Sequence, residues 1–243
     1  MPRFVFSGII FLICCLKRIE VNSMGLLEVS GPVMTGPSSS HTLGALRIAR
    51  FVYKLMGIPE SVVFTLHGSF ALTYKGHGTD RALLAGIIGL KADDPRVKDA
   101  YKLAKDVGLK YEFEFADLGD VHPNTVLIRA QKGELYNEVE GSSIGGGAIR
   151  ITKINGVDCS LAGDFPALVI VNNDRPGALK GILDCIGVNI ANVYLRRVNA
   201  LEGTALTIIE LDENPCEDTL DCIKSLKNVV EVYAVKIEEG EGI

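Results

Sequence analysis

Gly36, Pro37, Ser38, Ser39, Ser40, His41 and Thr42 form one cluster of reactive side chains, and Lys75, Gly76, His77, Gly78, Thr79 and Asp80 form a second. Both place small hydroxyls, glycines and imidazoles where loops meet helices, and such residues hold anions and move protons. The serines follow Gly-Pro and precede the apolar series Leu43, Leu46, Ala49 and Val52. That order predicts a helix capped by serine oxygens, whose first turn offers N–H groups to a carboxylate or phosphate. His77 stands between two glycines with little steric shielding. An imidazole with a reference pKa near ~6.5 suits proton transfer at neutral pH.

Taken singly, a serine before a helix is a cap and Gly-His-Gly is a turn. Here the two segments are joined by a strand-like run at residues 61–66 that ends in His67, Gly68 and Ser69. All four histidines, His41, His67, His77 and His122, fall in this one part of the chain. Loops on a rigid scaffold are where catalytic groups collect. The expected substrate is small and anionic.

The scaffold reads as α+β. Up to about residue 154, strand-like and helix-like runs alternate with turn residues at each junction. Helices are expected at residues 41–56, 79–90 and 95–107, and strands at 62–66, 110–115, 125–130, 135–140 and 149–154. The strict alternation of Lys110, Tyr111, Glu112, Phe113, Glu114 and Phe115 predicts a half-buried strand. A second unit follows a polar, glycine-containing segment, with strand-like residues 165–171, 190–198, 204–211 and 229–237 and helical residues 176–186 and 215–226. The resulting β-α-β-β-α-β order is ferredoxin-like. Pro176 is expected near the first position of its helix and Asp174 near the cap.

The chain has 243 residues, 47% of them hydrophobic, and a net charge of −5. This is ample for packed cores and leaves no basic field for nucleic acid. Residues 4–16 form an apolar run between Arg3 and the pair Lys17 and Arg18. It is shorter than the ~20 residues a spanning helix requires, and no small-x-small cleavage site follows. Cys14, Cys15, Cys159, Cys185, Cys216 and Cys222 are scattered without Cys-x-x-Cys spacing, so no cluster ligand set is expected. Reduced thiols in a cytoplasmic protein are the expectation, with Cys185 and Cys222 as small apolar residues in helical patterns.

Five ordered motifs carry a family resemblance. Gly31, Pro32, Val33, Met34, Thr35 and residues 36–42 resemble the opening of the beta chain of iron–sulfur-dependent L-serine dehydratases. The resemblance continues through His67-Gly68-Ser69, residues 75–80, His122-Pro123-Asn124-Thr125 and Ser143-Ile144-Gly145-Gly146-Gly147, then runs into an ACT-type regulatory module. It covers the chain from Met24 onward and implies residues 1–23 as an extension from an upstream start, a serine dehydratase beta domain at 24–154, a linker at 155–163 and an ACT domain at 164–239. The implied first domain is also similar to the allosteric substrate-binding domain of some phosphoglycerate dehydrogenases.

The reaction the resemblance implies is β-elimination of L-serine to pyruvate and ammonium, with His77 as base. Ser38, Ser39, Ser40, His41 and Thr42 would receive the carboxylate or amino group, with His67, Ser69, Lys75 and Asn124 shaping the rest of the pocket. The glycines at 145, 146 and 147 would admit backbone N–H groups to it. A [4Fe–4S] cluster would sit on a partner alpha chain, and no pyridoxal phosphate is expected, because no lysine lies in a phosphate-cradling context. Asn173, Asp174, Gly177 and Asn189 would form an effector site in a separable ACT unit, with Asn192 nearby. The rival reading is a non-catalytic amino-acid-sensing subunit, for which the motif at 75–80 would have no use.

Overall fold

A computed structural model of the chain describes residues 34–199 and 203–237. The expected extension at 1–23 with Cys14 and Cys15, the motif residues Gly31, Pro32 and Val33, and positions 200–202 and 238–239 of the second unit lie outside the described residues.

Ser39–Leu43 forms a π-helical turn that leads into helix α1, Gly44–Met56. The Ser38 carbonyl makes the turn wide, accepting from Thr42 N–H at 2.9 Å and from Leu43 N–H at 3.3 Å. The Ser38 hydroxyl caps it by accepting from His41 N–H at 3.1 Å. Gly57, with φ of 72° and ψ of −160°, ends α1 in a backbone conformation that favours glycine. There follow β1 (Ser61–Leu66), α2 (Gly68–Thr73), α3 (Thr79–Ile87), a 3₁₀ turn (Pro95–Asp99) and α4 (Ala100–Asp106). Strands β2 (Lys110–Phe115), β3 (Thr125–Lys132), β4 (Leu135–Gly145), β5 (Ala148–Ile154) and β6 (Val157–Leu161) complete the first unit.

These strands form one sheet in the order β2-β1-β3-β4-β5-β6. β1 is parallel to β2 and antiparallel to β3. Leu66 lies opposite Val126, and Thr125 opposite Ser142. The end of β1, the start of β3 and the end of β4 therefore emerge at one edge, which is where the sequence motifs fall. Helix α1 lays Leu46, Ile48, Val52 and Leu55 into the core. Helix α3 packs backbone to backbone on α1, since a Cβ at Gly86 would stand 2.2 Å from the Leu46 carbonyl oxygen. That close crossing holds the starts of the two helices in a fixed relation.

The second unit runs β7 (Ala167–Asn173), α5 (Ala178–Asp184), β8 (Ile190–Asn199), β9 (Thr204–Leu211), α6 (Glu217–Ser225) and β10 (Val229–Val235). Its antiparallel sheet has the order β10-β7-β9-β8. Alternate residues point to opposite faces. Leu168, Ile170, Ile209 and Leu211 pack with Ile182 of α5 and Ile223 of α6. Ala167, Val169, Leu206, Ile208 and Val235 join the core of the first unit. The expected separability of the second unit thus meets a shared core.

Further expectations are corrected. The segment 155–163 is no linker along its whole length, because β6 pairs with β5 within it. Asp174 does not cap α5: Gly177 occupies that position with no side-chain cap, Pro176 precedes it, and the Asp174 carboxylate pairs with Arg197. Cys185 and Cys222 are joined in a disulfide, with Cα atoms 5.8 Å apart. Cys185 closes α5 and Cys222 lies on α6, and the two helices cover one face of the same sheet. Among the described residues no helix is long and apolar enough to cross a membrane.

Candidate functional site

The π-turn before α1 projects His41 toward the loops at the sheet edge. Its Nδ1 lies 3.1 Å from the Ser40 hydroxyl and its Nε2 lies 2.9 Å from the Ser69 hydroxyl, at the start of α2. The His77 ring stands across it, with centroids 4.7 Å apart and planes at 75°. The Thr42 hydroxyl donates to the His77 carbonyl at 2.8 Å, locking the turn before α3 onto the turn before α1. Burial first, and the neighbouring His77 second, lower the His41 pKa below 6.5. Both His41 nitrogens are engaged by hydroxyls, and the shift favours the neutral imidazole.

A chain of backbone contacts closes the ring around this pair. Ser69 N–H donates to the Pro123 carbonyl at 2.8 Å, and Ser143 N–H donates to the Asn124 carbonyl at 2.9 Å. Ser143 in turn presses on Gly44, where an added Cβ would lie 2.0 Å from the Ser143 hydroxyl oxygen. Positions 40 and 44 lie one turn apart on the same helical face, so the ring returns to Ser40 and His41. Along it, His77 Nδ1, Thr79 Oγ1, Asn124 Oδ1 and Ser143 Oγ are buried without a hydrogen-bond partner. Buried polar atoms are nearly always paired, and four orphans in one neighbourhood are what a polar ligand would satisfy.

The structure brings Ser38, Ser40, His41, Thr42, Ser69, His77 and Asn124 near one another. Ser39 is exposed. The His67 backbone belongs to the ring through its N–H bond to the Thr125 carbonyl, 3.0 Å. Its imidazole turns instead to the loop after β2, where Nδ1 accepts from Leu118 N–H at 3.1 Å. Lys75 is exposed, with its ammonium 5.6 Å from the centre of the Tyr74 ring. Asp80 is buried and accepts from the Tyr101 hydroxyl at 2.6 Å. Burial and this carboxylate push the Tyr101 phenol well above its usual range. His122 serves its own turn, accepting from Asn124 N–H at 3.1 Å.

Thr79 and Ser143 stand within motifs picked out from the sequence but not among its expected site residues, and Gly44 stands in neither. The signal for Gly44 is a glycine within an otherwise apolar helical face, which marks close backbone approach. The four residues expected at an effector site divide. Asn173 lies opposite Thr204, near Asp174 and Gly177, whereas Asn189 precedes Ile190, which lies opposite Leu211. Antiparallel pairing therefore places Asn189 at the other end of the sheet, where its amide donates to Asp212 at 2.5 Å. Asn192 is beside it, donating to Glu210 at 2.7 Å.

Among the described residues no group of three or more His, Cys, Asp or Glu is arranged to hold a metal ion. Cys216 and Cys159 are the free cysteines described, and burial pushes the Cys159 thiol up to about 12. These residues do not fit an iron–sulfur cluster, whose ligands are thiolates.

Residues 32–120 match the family described as serine dehydratase beta chain. Over 216 residues the chain is 41% identical to the probable L-serine dehydratase beta chain of Bacillus subtilis, covering 86% of this chain and 97% of that one. It is 38% identical to the L-serine dehydratase beta chain of Peptoniphilus asaccharolyticus over the same shares, 86% and 97%. Over 141 residues it is 36% identical to an L-serine dehydratase of Helicobacter pylori strain 26695, covering 49% of this chain and 31% of that one.

Proposed function

The chain belongs to the serine dehydratase beta chain family, and from that premise we propose that it is the beta subunit of a two-chain L-serine ammonia-lyase. The enzyme converts L-serine to pyruvate and ammonium by β-elimination. The observation that carries the reading is the convergence of the separated motifs on one ring, with a histidine nitrogen and three further polar atoms left unpaired along it.

His77 is the base for the α-proton. Both His41 nitrogens are occupied by serine hydroxyls, whereas His77 Nδ1 has no partner. General-base work requires a nitrogen not already committed to another group, and the substrate's α-proton would be the partner that this buried nitrogen lacks. His41, held neutral, orients Ser40 and Ser69 toward the substrate's carboxylate and amino group, and the composite helix start favours the negative end. Asn124 and Thr79 supply further polar contacts.

The β-hydroxyl is a poor leaving group. A [4Fe–4S] cluster held by an alpha chain would supply the Lewis acid for its departure. A separate alpha chain is supported by the Helicobacter relative, in which the matching segment is 31% of a longer protein named L-serine dehydratase. The second unit, with its β-α-β-β-α-β order, serves as an ACT-type regulatory module, and its turn at Asn173, Asp174 and Gly177 receives an amino-acid effector. The assembled enzyme works in the cytoplasm.

The test is anaerobic reconstitution with the alpha chain, scored by pyruvate formation. Activity should require both chains. Substantial turnover by this chain alone, or none by the cluster-loaded pair, rejects the proposal.

A further inference from the structure

We propose that Arg47 is a positioning residue for the site, holding the glycine turn after β4 in place over the start of α1 while Asp164, at the entrance to the second unit, holds the arginine. The substrate in this inference rests on the serine dehydratase reading above.

The turn consists of Gly145, Gly146 and Gly147, with φ of 105°, 61° and 85°. Side chains rarely adopt such angles, so this stretch is glycine by necessity and has the backbone freedom of glycine. An added Cβ at Gly145 or Gly146 would meet nothing within 4 Å, so no neighbouring atoms brace the turn there. Its location follows from β4. An added Cβ on Gly141 would meet Ile48, and one on Gly44 would meet Ser143. Two strand residues advance about 6.8 Å and four helix residues about 6 Å, so strand and helix stay in step. Beyond Ser143 the β4–β5 register shifts before Gly145, and Arg47, in the first turn of α1, reaches the Gly147 carbonyl. The turn therefore forms a wall beside the helix start that the proposed pocket uses, and its backbone is bare of side chains.

Arg47 fixes that wall. It lies one turn beyond Gly44, and one guanidinium nitrogen donates to the Gly147 carbonyl at 2.8 Å. The other nitrogen pairs with Asp164 Oδ1. The two side chains are only 16% and 23% exposed, so the pair is shielded from solvent screening more than a surface bridge. A planar fork reaching two acceptors at once is particular to arginine, and a lysine ammonium cannot reproduce it. Asp164 precedes β7, the central strand that carries Val169 into the shared core. The placement of the second unit thus enters the pocket through one carboxylate and one guanidinium, without either touching substrate.

Arg47→Lys, Asp164→Asn and the double variant, each reconstituted with the alpha chain, provide the test. Each single change should raise KM for L-serine about tenfold, the size of a lost charge-assisted hydrogen bond, and lower kcat less than twofold. The double variant should be no worse than the more impaired single, because both act through one fork. Amide exchange at Gly146 and Gly147 in the full chain reads the turn without reference to turnover, and should accelerate in Asp164→Asn. A wild-type KM in folded, assembled variants, full additivity of the two changes, or unchanged glycine exchange overturns the inference. If exchange accelerates while the wild-type pair shows no serine turnover, the clamp stands and the serine dehydratase reading is what has failed.

Discussion

The Nε2 of His41 and the hydroxyl of Ser69 lie 2.9 Å apart although 28 residues separate them in the chain. That bond spans the turn before α1 and the start of α2, so it reports whether the sheet edge has closed around the site. In the neutral form that the lowered pKa favours, one nitrogen donates and the other accepts, and Ser40 and Ser69 take complementary roles.

Ser69→Ala should reduce kcat/KM about fivefold, the effect of one hydrogen bond of ordinary strength. Ser69→Thr, which keeps the hydroxyl, should recover most of it. Equal losses in both variants would show that the bond itself is unimportant.

His77→Ala should lower turnover by about 10²–10⁴-fold with assembly intact, the usual range for a general base. His41→Ala should raise KM more than it lowers kcat. Near-normal turnover of the His77 variant at saturating serine moves the base to His122 or to the partner chain.

The lowered pKa of His41 has a thermodynamic consequence with a definite sign. From 6.5 down to the folded value, the unfolded chain binds more protons than the native one, so stability falls as pH drops through that window. Above 6.5 the group contributes no pH dependence. Urea unfolding of wild type and His41→Asn across about pH 5 to 7 isolates this contribution. The wild type should lose more stability on acidification; parallel curves would contradict the linkage.

Gly44→Ala should destabilise the chain by about 1–3 kcal/mol, the cost of overpacking. Its Cβ would stand 2.0 Å from the Ser143 hydroxyl oxygen and 2.5 Å from the Ser143 Cβ. Ser143→Gly in the same chain should restore part of the loss, and a denaturation midpoint for the single variant equal to wild type would refute the contact.

Cutting the disulfide by Cys222→Ser should cost about 2–4 kcal/mol under oxidising conditions, given the 37-residue separation of its ends. Excess reductant should remove the difference between the variant and wild type. A cytoplasmic chain would spend most of its time in the reduced form.

Much of this arrangement is legible in the residue order. The alternation at residues 110–115 marks β2, and the apolar runs of β7 and β9 mark strands covered on two faces. Helix α2 is too short for its six residues to display a period. Strand β6, from Val157 to Leu161, has apolar ends around Asp158, Cys159 and Ser160, and only its pairing with β5 makes it a strand. The hydroxyl and histidine motifs announce the site, because chemistry demands particular residue types. Their supports do not: Ser143 against Gly44 and Asp164 against Arg47 are ordinary residues made significant by contacts across the fold. Asn189 shows the converse, since its nearness in sequence to the effector turn is undone by antiparallel register.

The two central strands of the second sheet, β7 and β9, have neither face open to water. A module that travels between proteins by gene shuffling must show solvent one polar face, or find in each new host a surface shaped to cover the apolar one. Val169, Leu206 and Ile208 instead share one core with Leu46, Ile48 and Val52 of α1, the helix that begins at the site. A recombination point between the two units would leave those three residues uncovered in the product that inherits the second unit without the first.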